Sequence, residues 1–461
     1  MNIALFAARS TFRNKRRSII TLITVSIGTL ALCLFGGFVN TVYQGIETGI
    51  VRTSGQIHLY REGFFEYGAG RATDYDIADY QRIVDTLQGD DRLAKRIAVI
   101  TPTLSIGGIA GNYAENSSQT FVGVGLNPAD HARMRMWNDY GTSGESSAFP
   151  LPADAQGGFI GTGLAKILNL CDELNIAGCT DAPTPVPDNT GAIDPEIADL
   201  QLEVDASAQS LPRFPATIDL LGAAASGAPN IIRLPVLSAQ AQAQKAVDDR
   251  FVAMPLPMAQ QLVYGQDEQR VTTLIIQLHH TTDMEDTVAH LRTLIDAQAW
   301  PLEVKGFTDF NVTYSRITAM FSTIFGFISV VIAIVVVFTI VNNLSMSVME
   351  RFNEIGTLRS IGSRRSVIRE QFVLEGIILG VLGAALGLSL GMIVETLVNL
   401  SGFSWTPPSN TIPQPLMLNL YANPIMPLGI GLGMIIVTAL SSLPPANRAA
   451  RMPIVDALRH H

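Results

Sequence analysis

The chain has 461 residues, 48% of them hydrophobic and only 15% charged, with a formal net charge of −9. Soluble domains average about one quarter charged residues, so the composition argues against a wholly water-soluble enzyme. The charge is also segregated: residues 44–315 hold 34 acidic and 17 basic side chains, whereas the other 189 residues hold 6 acidic and 14 basic ones. An acidic soluble domain carried on a basic membrane frame is the organisation this implies, and such a domain would repel phosphate, which argues against nucleic acid as a partner.

In chain order, Arg17 and Glu47 bracket 29 residues without a charge, Arg316 and Glu350 bracket 33, Glu375 and Glu395 bracket 19, and Ile425–Leu443 adds 19 more. A helix crossing a hydrocarbon core of about 30 Å needs about 20 apolar residues. Transmembrane helices are therefore expected at 18–43, 316–348 (apolar centre 318–346, the rest a stalk), 372–398 and 425–443. The remainder divides into an amphipathic N-terminal helix over 1–17, an external domain over 44–315, a loop over 349–371, an external loop over 399–424 and a tail over 444–461. The expected fold class is an α-helical membrane protein with four transmembrane helices and a large mixed α/β extracytoplasmic domain between the first and second.

Arginine and lysine orient the spans. Arg9, Arg13, Lys15, Arg16 and Arg17 precede the first; Arg351, Arg359, Arg364, Arg365 and Arg369 lie between the second and third; Arg448, Arg451 and Arg459 follow the fourth. This places both termini and the 349–371 loop in the cytoplasm and the large domain in the periplasm, with the chain multi-pass in the inner membrane. The first span is too long for a signal peptide and lacks a small-x-small site after it, and Leu32 stands where a lipoprotein signal before Cys33 needs a small residue.

Within the external domain, Gln56–Tyr60, Arg96–Ile106 and Thr120–Leu126 read as strands, Tyr75–Leu87 and Phe159–Leu170 as helices. Residues 171–235, rich in Pro, Asp, Ala and Gly, read as an irregular insertion. From Phe251 the pattern tightens into a helix at 257–264, a strand at 271–279, a helix at 283–297 and a strand at 302–307. Cys171 and Cys179, seven residues apart, are expected to close a short disulfide loop in an oxidising compartment; two reduced cysteines in a loop are the alternative, and neither reading is catalytic. The histidines form no HExxH, and His279-His280 belongs to an alternating strand rather than a metal site. No GxxxxGK[ST] or GxSxG occurs, and in Gly123-Val-Gly125-Leu-Asn-Pro128 a proline replaces the third glycine of a dinucleotide loop. No catalytic residue, metal ligand or bound cofactor is therefore assigned, and energy for any driven process would come from another subunit.

The cytoplasmic loop is more informative. In Met349–Arg365, MERFNEIGTLRSIGSRR, the residues Met349, Phe352, Ile355, Leu358 and Ile361 recur every third position and make a broad apolar face. It fits a short amphipathic helix presented to a cytoplasmic partner; the alternative is a membrane-hugging loop held by arginines near the lipid headgroups. With the glycine-rich stretch that follows, Met349–Leu388 resembles the permease module of the FtsX-like and MacB-like ABC transporters and of the lipoprotein-releasing Lol permeases. Glu350-Arg351, Glu354-Ile355-Gly356, Leu358-Arg359 and Ile361-Gly362 match that family's "ERxxEIGxLRAIG" segment, with Ser360 in place of its alanine. Ala4–Ile27, Gly161–Leu170 and Phe251–Ala259 are similar too, whereas residues 171–235 depart from the family.

The resemblance implies a permease that pairs with a second copy or a paralogue and binds two copies of a separate ATPase. ATP and Mg would be bound by that ATPase and none by this chain, and the segment 349–362 would be the coupling helix seated on it. It implies mechanotransmission, in which ATP-driven closure on the cytoplasmic side is passed through helical stalks to the external domains. Membrane lipid, and a periplasmic or outer-membrane protein, fit as further partners. The expected function is to export or extract an amphipathic substrate such as a lipoprotein, lipid or peptide; the alternative is a signalling scaffold that controls an external partner such as a cell-wall hydrolase. In the third span, Gly376, Gly380, Gly383, Gly387 and Gly391 form a small-residue stripe that suits either a dimer interface or packing within one chain. Gly429 and Gly433 repeat the spacing in the fourth span, and Glu375 and Glu395 flank the third as interface markers.

Overall fold

The computed structural model describes residues 15–68, 72–141, 149–176, 216–242, 244–265, 269–405, 414–421 and 424–452. The expected helix up to residue 14, Cys179, the Pro-rich stretch 181–188 and the tail beyond 452 lie outside them. The chain divides into two units: Met1–Glu47 with Val312–Trp405 and Pro415–His461, and Thr48–Asn311 with Thr406–Gln414.

The first unit is built from helices long and apolar enough to cross a membrane: α1 (Lys15–Ser54, whose last turns belong to the other unit), α2 (Val312–Glu350), α4 (Arg365–Ser401) and α5 (Ile425–Arg451), with the short α3 (Phe352–Ser360) between α2 and α4. All four long helices outrun the apolar stretches that marked them. A charged residue ends the lipid-facing run but not the hydrogen-bond ladder, so at 1.5 Å per residue the 40-residue α1 and 39-residue α2 are each about 60 Å long. Helix α5 continues through Pro444 and Pro445 to Arg451, past the end expected at Leu443. The two prolines remove N–H donors, but Pro445, Ala446, Ala449 and Ala450 are buried, and this packing holds the last turns.

The glycine stripe of α4 packs inside the chain. A Cβ on Gly376 or Gly380 would meet Ser442 or Thr438 of α5, and one on Gly383 or Gly387 would meet Val25 or Thr29 of α1, all closer than 3 Å. The Ser26 hydroxyl exploits this approach by donating to the Gly383 carbonyl at 3.1 Å. Gly391 lies at ordinary distance from Cys33, whereas Gly429 and Gly433 of α5 face open space.

The extended segment Leu416–Tyr421 is sewn between α1 and α4. Asn40 donates to the Asn419 carbonyl at 2.8 Å, Thr41 accepts the Asn419 N–H, and Asn419 donates its amide to Gln44. On α4, Asn399 exchanges two hydrogen bonds with Leu418, Glu395 accepts the Leu420 N–H at 3.1 Å, and the Tyr421 hydroxyl donates to the Leu388 carbonyl. Extended backbone outside a helix or sheet ladder needs side-chain partners for its polar groups, and here Asn40, Thr41, Glu395 and Asn399 supply them.

The second unit is a nine-stranded sheet in the order β3-β7-β4-β6-β5-β2-β8-β1-β9, with a further β3–β2 pairing. The strands are β1 (Ile57–Arg61), β2 (Ile97–Asn112), β3 (Ser117–Leu126), β4 (Gly158–Gly161), β5 (Thr217–Ala223), β6 (Pro229–Gln240), β7 (Phe251–Pro255), β8 (Thr273–Leu278) and β9 (Leu302–Gly306). Two modules share β2. Its first half, Ile97–Thr103, joins β8, β1 and β9 in an antiparallel sheet ordered β2-β8-β1-β9. With helices Tyr80–Gln88 and Met284–Gln298 in the crossovers, this is a split β-α-β unit. Its second half, Leu104–Asn112, pairs with β3, and the ring β2-β3-β7-β4-β6-β5 returns to β2, so a six-stranded barrel is inserted into the split unit. Apolar faces of both modules merge into one core that includes Ile57, Leu59, Ile83, Leu87, Leu291 and Ile295 on one side and Phe121, Ile160, Leu164, Leu220, Leu234 and Val252 on the other.

Two sequence expectations are corrected here. The described end of the stretch expected to be irregular, residues 217–235, belongs to the β5–β6 hairpin of the barrel, which runs on to Gln240. The helix expected over Phe159–Leu170 is strand β4 followed by a helix confined to Thr162–Ile167. The false dinucleotide loop is also explained: Gly123 and Gly125 lie in β3, where a Cβ would strike the Val252 carbonyl or the Ala259 side chain, and Asn127 caps the next helix by accepting the Ala129 N–H at 3.1 Å.

Candidate functional site

The segment that matched a family motif folds as a helical elbow. Helix α2 ends at Glu350, Arg351 breaks the helical path with φ −100° and ψ 17°, and α3 runs from Phe352 to Ser360. Its end is a Schellman stop: Ser363 N–H reaches the Leu358 carbonyl at 3.1 Å and Gly362 N–H the Arg359 carbonyl at 3.1 Å. Gly362 adopts φ 95°, which a side chain would oppose. The chain then re-enters α4 at Arg365. The cytoplasmic loop expected over 349–371 thus holds little irregular backbone, because α4 starts seven residues before its apolar stretch.

The apolar periodicity of this segment divides in two. Ile355 and Gly356 are buried, Phe352 and Leu358 half-buried, while Met349 and Ile361 are 65% and 79% exposed. Ile355 packs with Ile368 and Phe372 of α4 and Ala446 and Ala449 of α5. Glu350, Asn353, Glu354, Thr357 and Ser360 present an exposed polar surface, and Arg359 is half-buried, its guanidinium donating to the Met452 carbonyl. Beside α3 an open cavity of about 460 Å³ is lined by Arg351, Asn353, Glu354, Thr357, Leu358 and the α4 residues Ile368, Gln371 and Phe372. Arg351 itself turns inward, its Nη1 3.5 Å from Oε2 of Glu375, with both side chains under a tenth exposed.

Sequence reasoning placed Glu375 at a membrane boundary and missed this pairing, since 24 residues separate the partners. It also missed the Leu416–Tyr421 segment, for which the only signal was Asn40 and Asn399 within or beside apolar spans. Cys33 is free and buried; Cys171 is disulfide-bonded, and its expected partner Cys179 lies outside the described residues.

In the second unit the titratable groups are structural. His58 is buried, donates from Nε2 to the Ser54 carbonyl at 2.6 Å and turns Nδ1 to the Tyr60 hydroxyl. This neutral ring is satisfied, and burial pushes its pKa down to about 4. Burial likewise lowers His131 to about 4, against Asp130, which raises it, and with the Arg135 charge adding to the fall. Asp248 is buried and accepts N–H groups from Thr162, Gly163 and Gln242 at 2.8–3.0 Å. His279 and His280 lie beyond the end of β8, and His280 pairs with Asp139 at 2.7 Å. Among the described residues no group of three or more His, Cys, Asp or Glu side chains is placed to hold a metal ion.

Residues 326–454, from within α2 through α5, match the FtsX-like permease C-terminal family. The chain is 27% identical over 219 residues to the macrolide export ATP-binding/permease protein MacB of Bordetella avium, covering 46% of this chain and 30% of that protein. It is 30% identical over 145 residues to the uncharacterized ABC transporter permease YknZ of Bacillus subtilis (32% and 33%), and 38% identical over 76 residues to the ABC transporter permease YtrF of the same organism (16% and 17%). The chain thus spans a third or less of the length of these curated relatives. The extracellular domain of the YknZ transporter aligns with 54% of this chain and 98% of its own at 11% identity, with a TM-score of 0.29, too low to establish a shared fold. The elbow, the glycine-packed α4 and α5 thus lie within the stretch that matches the FtsX-like permease C-terminal family, and over that part the chain is similar to FtsX-like and MacB-like ABC transporter permeases.

Proposed function

We propose that the chain is the permease subunit of an ABC transporter, held in the inner membrane with its termini and α3 in the cytoplasm and Thr48–Asn311 in the periplasm. A separate ATPase, in two copies, binds and hydrolyses ATP and seats on α3, and the permease pairs with a second copy or a paralogue. The observation that carries this reading is that the family match begins within α2 and takes in the whole elbow, whose outer surface keeps Met349 and Ile361 exposed beside a polar strip. Exposed apolar side chains rimmed by polar ones are what a protein–protein contact requires.

Motion at α3 passes through long helices. Only about 20 residues of α1 or α2 are needed to cross the bilayer core, so each retains several turns to act as a stalk. Two residues, Gly55 and Gln56, join α1 to β1, and β9 ends at Gly306, six positions before α2 begins. Short connections of this kind transmit displacement, which supports mechanotransmission over a pore. The substrate is an amphipathic molecule, a lipoprotein, lipid or peptide, a class to which the macrolide named for MacB is chemically akin.

Purification of the full chain from native membranes in mild detergent, with mass spectrometry of what is retained, tests this. A P-loop ATPase with a bound amphipathic molecule is expected. An ATPase retained with a cell-wall hydrolase and no cargo would replace export by signalling, and absence of any ATPase would overturn the permease reading.

A further inference from the structure

Arg351 occupies the single-residue break between α2 and α3, where a short polar side chain would cap the following helix. A guanidinium has no acceptor with which to do so, and the side chain runs instead to Glu375 of α4. Burying two charges costs desolvation, so such a pair is a poor source of net stability. A contact between two such buried charged groups is directional and is lost when either head moves away, and the pair therefore favours one geometry. The apolar seat of Ile355 on Phe372 and Ala446 is non-directional and would let α3 rock. The Arg359 tie to the Met452 carbonyl holds only the far end. Glu375 is itself fixed, because the adjoining Gly376 is pressed against Ser442 of α5.

We infer that Glu375 is a positioning residue for coupling: its carboxylate pins Arg351 and makes α3 a rigid lever, so that force applied to α3 reaches α2 and α4 together. This deepens the proposed function and rests on it for the origin of the force. The pin itself is a property of this chain alone.

The test is amide hydrogen exchange on the detergent-purified full chain, with and without the ATPase that co-purifies with it. Glu375→Gln keeps the shape and removes the charge; exchange over residues 352–360 is expected to rise by about tenfold while α5 stays protected. Arg351→Glu should do the same, and the swapped pair R351E with E375R should return exchange to within about threefold of the parent. Arg351→Lys, which keeps a charge on a differently shaped head, should fall between and provides a milder variant. In the complex, Glu375→Gln should retain the ATPase and its hydrolysis but lose the ATP-dependent change in exchange over 48–311. Unchanged exchange over 352–360, a swap no better than either single change, or loss of protection spread equally through α4 and α5 would overturn the inference. Pinning behaviour in a chain that never retains an ATPase would support the pin and overturn the proposed function instead.

Discussion

His58 and His131 show how single side chains set the pH limits of the second unit. Each has a folded pKa near 4, below the ordinary 6.5, so the native state binds fewer protons than the unfolded chain. Their stabilisation is complete above pH 6.5 and is lost as pH falls from there towards 4, amounting to about 2 kcal/mol each by pH 5. The His280–Asp139 pair works in the opposite sense, since Asp139 raises His280, but it is exposed and screened. Thermal melting of the full chain at pH 7 and pH 5 should show a lower Tm in acid, with His58→Gln and His131→Gln together flattening the difference; equal Tm values would contradict this. Asp248 supplies a second residue-scale prediction. Asp248→Ala leaves three N–H groups without their acceptor and should cost on the order of 3 kcal/mol, read as a fall in the denaturation midpoint at unchanged slope.

At the scale of elements, α4 is a packing hub. Gly380 and Gly387 allow contact with Thr438 and Thr29 that a side chain would block. Gly380→Leu and Gly387→Leu should each abolish a folded, detergent-stable chain, whereas Gly429→Leu, at a position facing open space, should be tolerated; size-exclusion profiles after detergent extraction distinguish the two. Spacing by four, present in both helices, marked candidate interfaces but not which was used, because the choice depends on neighbours from distant sequence. Apolar length was decisive for the existence of four long apolar helices and weak for their ends, because backbone ladders continue past the first charge. The β5–β6 hairpin escaped notice because Pro229 and Pro235 resemble loop punctuation. In the fold Pro229 opens its strand, and Pro235 sits where β6 has β5 on one side and only the short β4 on the other.

For the whole molecule, the segregation of acidic and basic residues legible in the composition coincides with the division into two structural units. The insertion of a barrel into a split β-α-β unit was not legible, since β2 serves both modules and its halves look alike in sequence. The candidate site was legible as a motif; its geometry was not, because Arg351 and Glu375 meet only after α2 has turned back into α4. Exposed Ile361 and Met349 then become the residues to change at the level of the assembly. Ile361→Asp should leave the isolated chain folded and reduce retained ATPase by about tenfold, since loss of a buried interface anchor costs more than 1 kcal/mol; undiminished retention on quantitative pull-down would show that this surface is not used.

The most direct test of the account is site-specific photo-crosslinking in native membranes from three positions, Glu354 and Thr357 on the outer surface of α3 and Leu386 on the exposed side of α4. Covalent capture of a P-loop ATPase from the two α3 positions and not from Leu386 is the predicted result. Capture of the ATPase from Leu386 alone, or of none from α3 while the chain remains assembled, would contradict the claim that α3 is the element on which ATP hydrolysis acts.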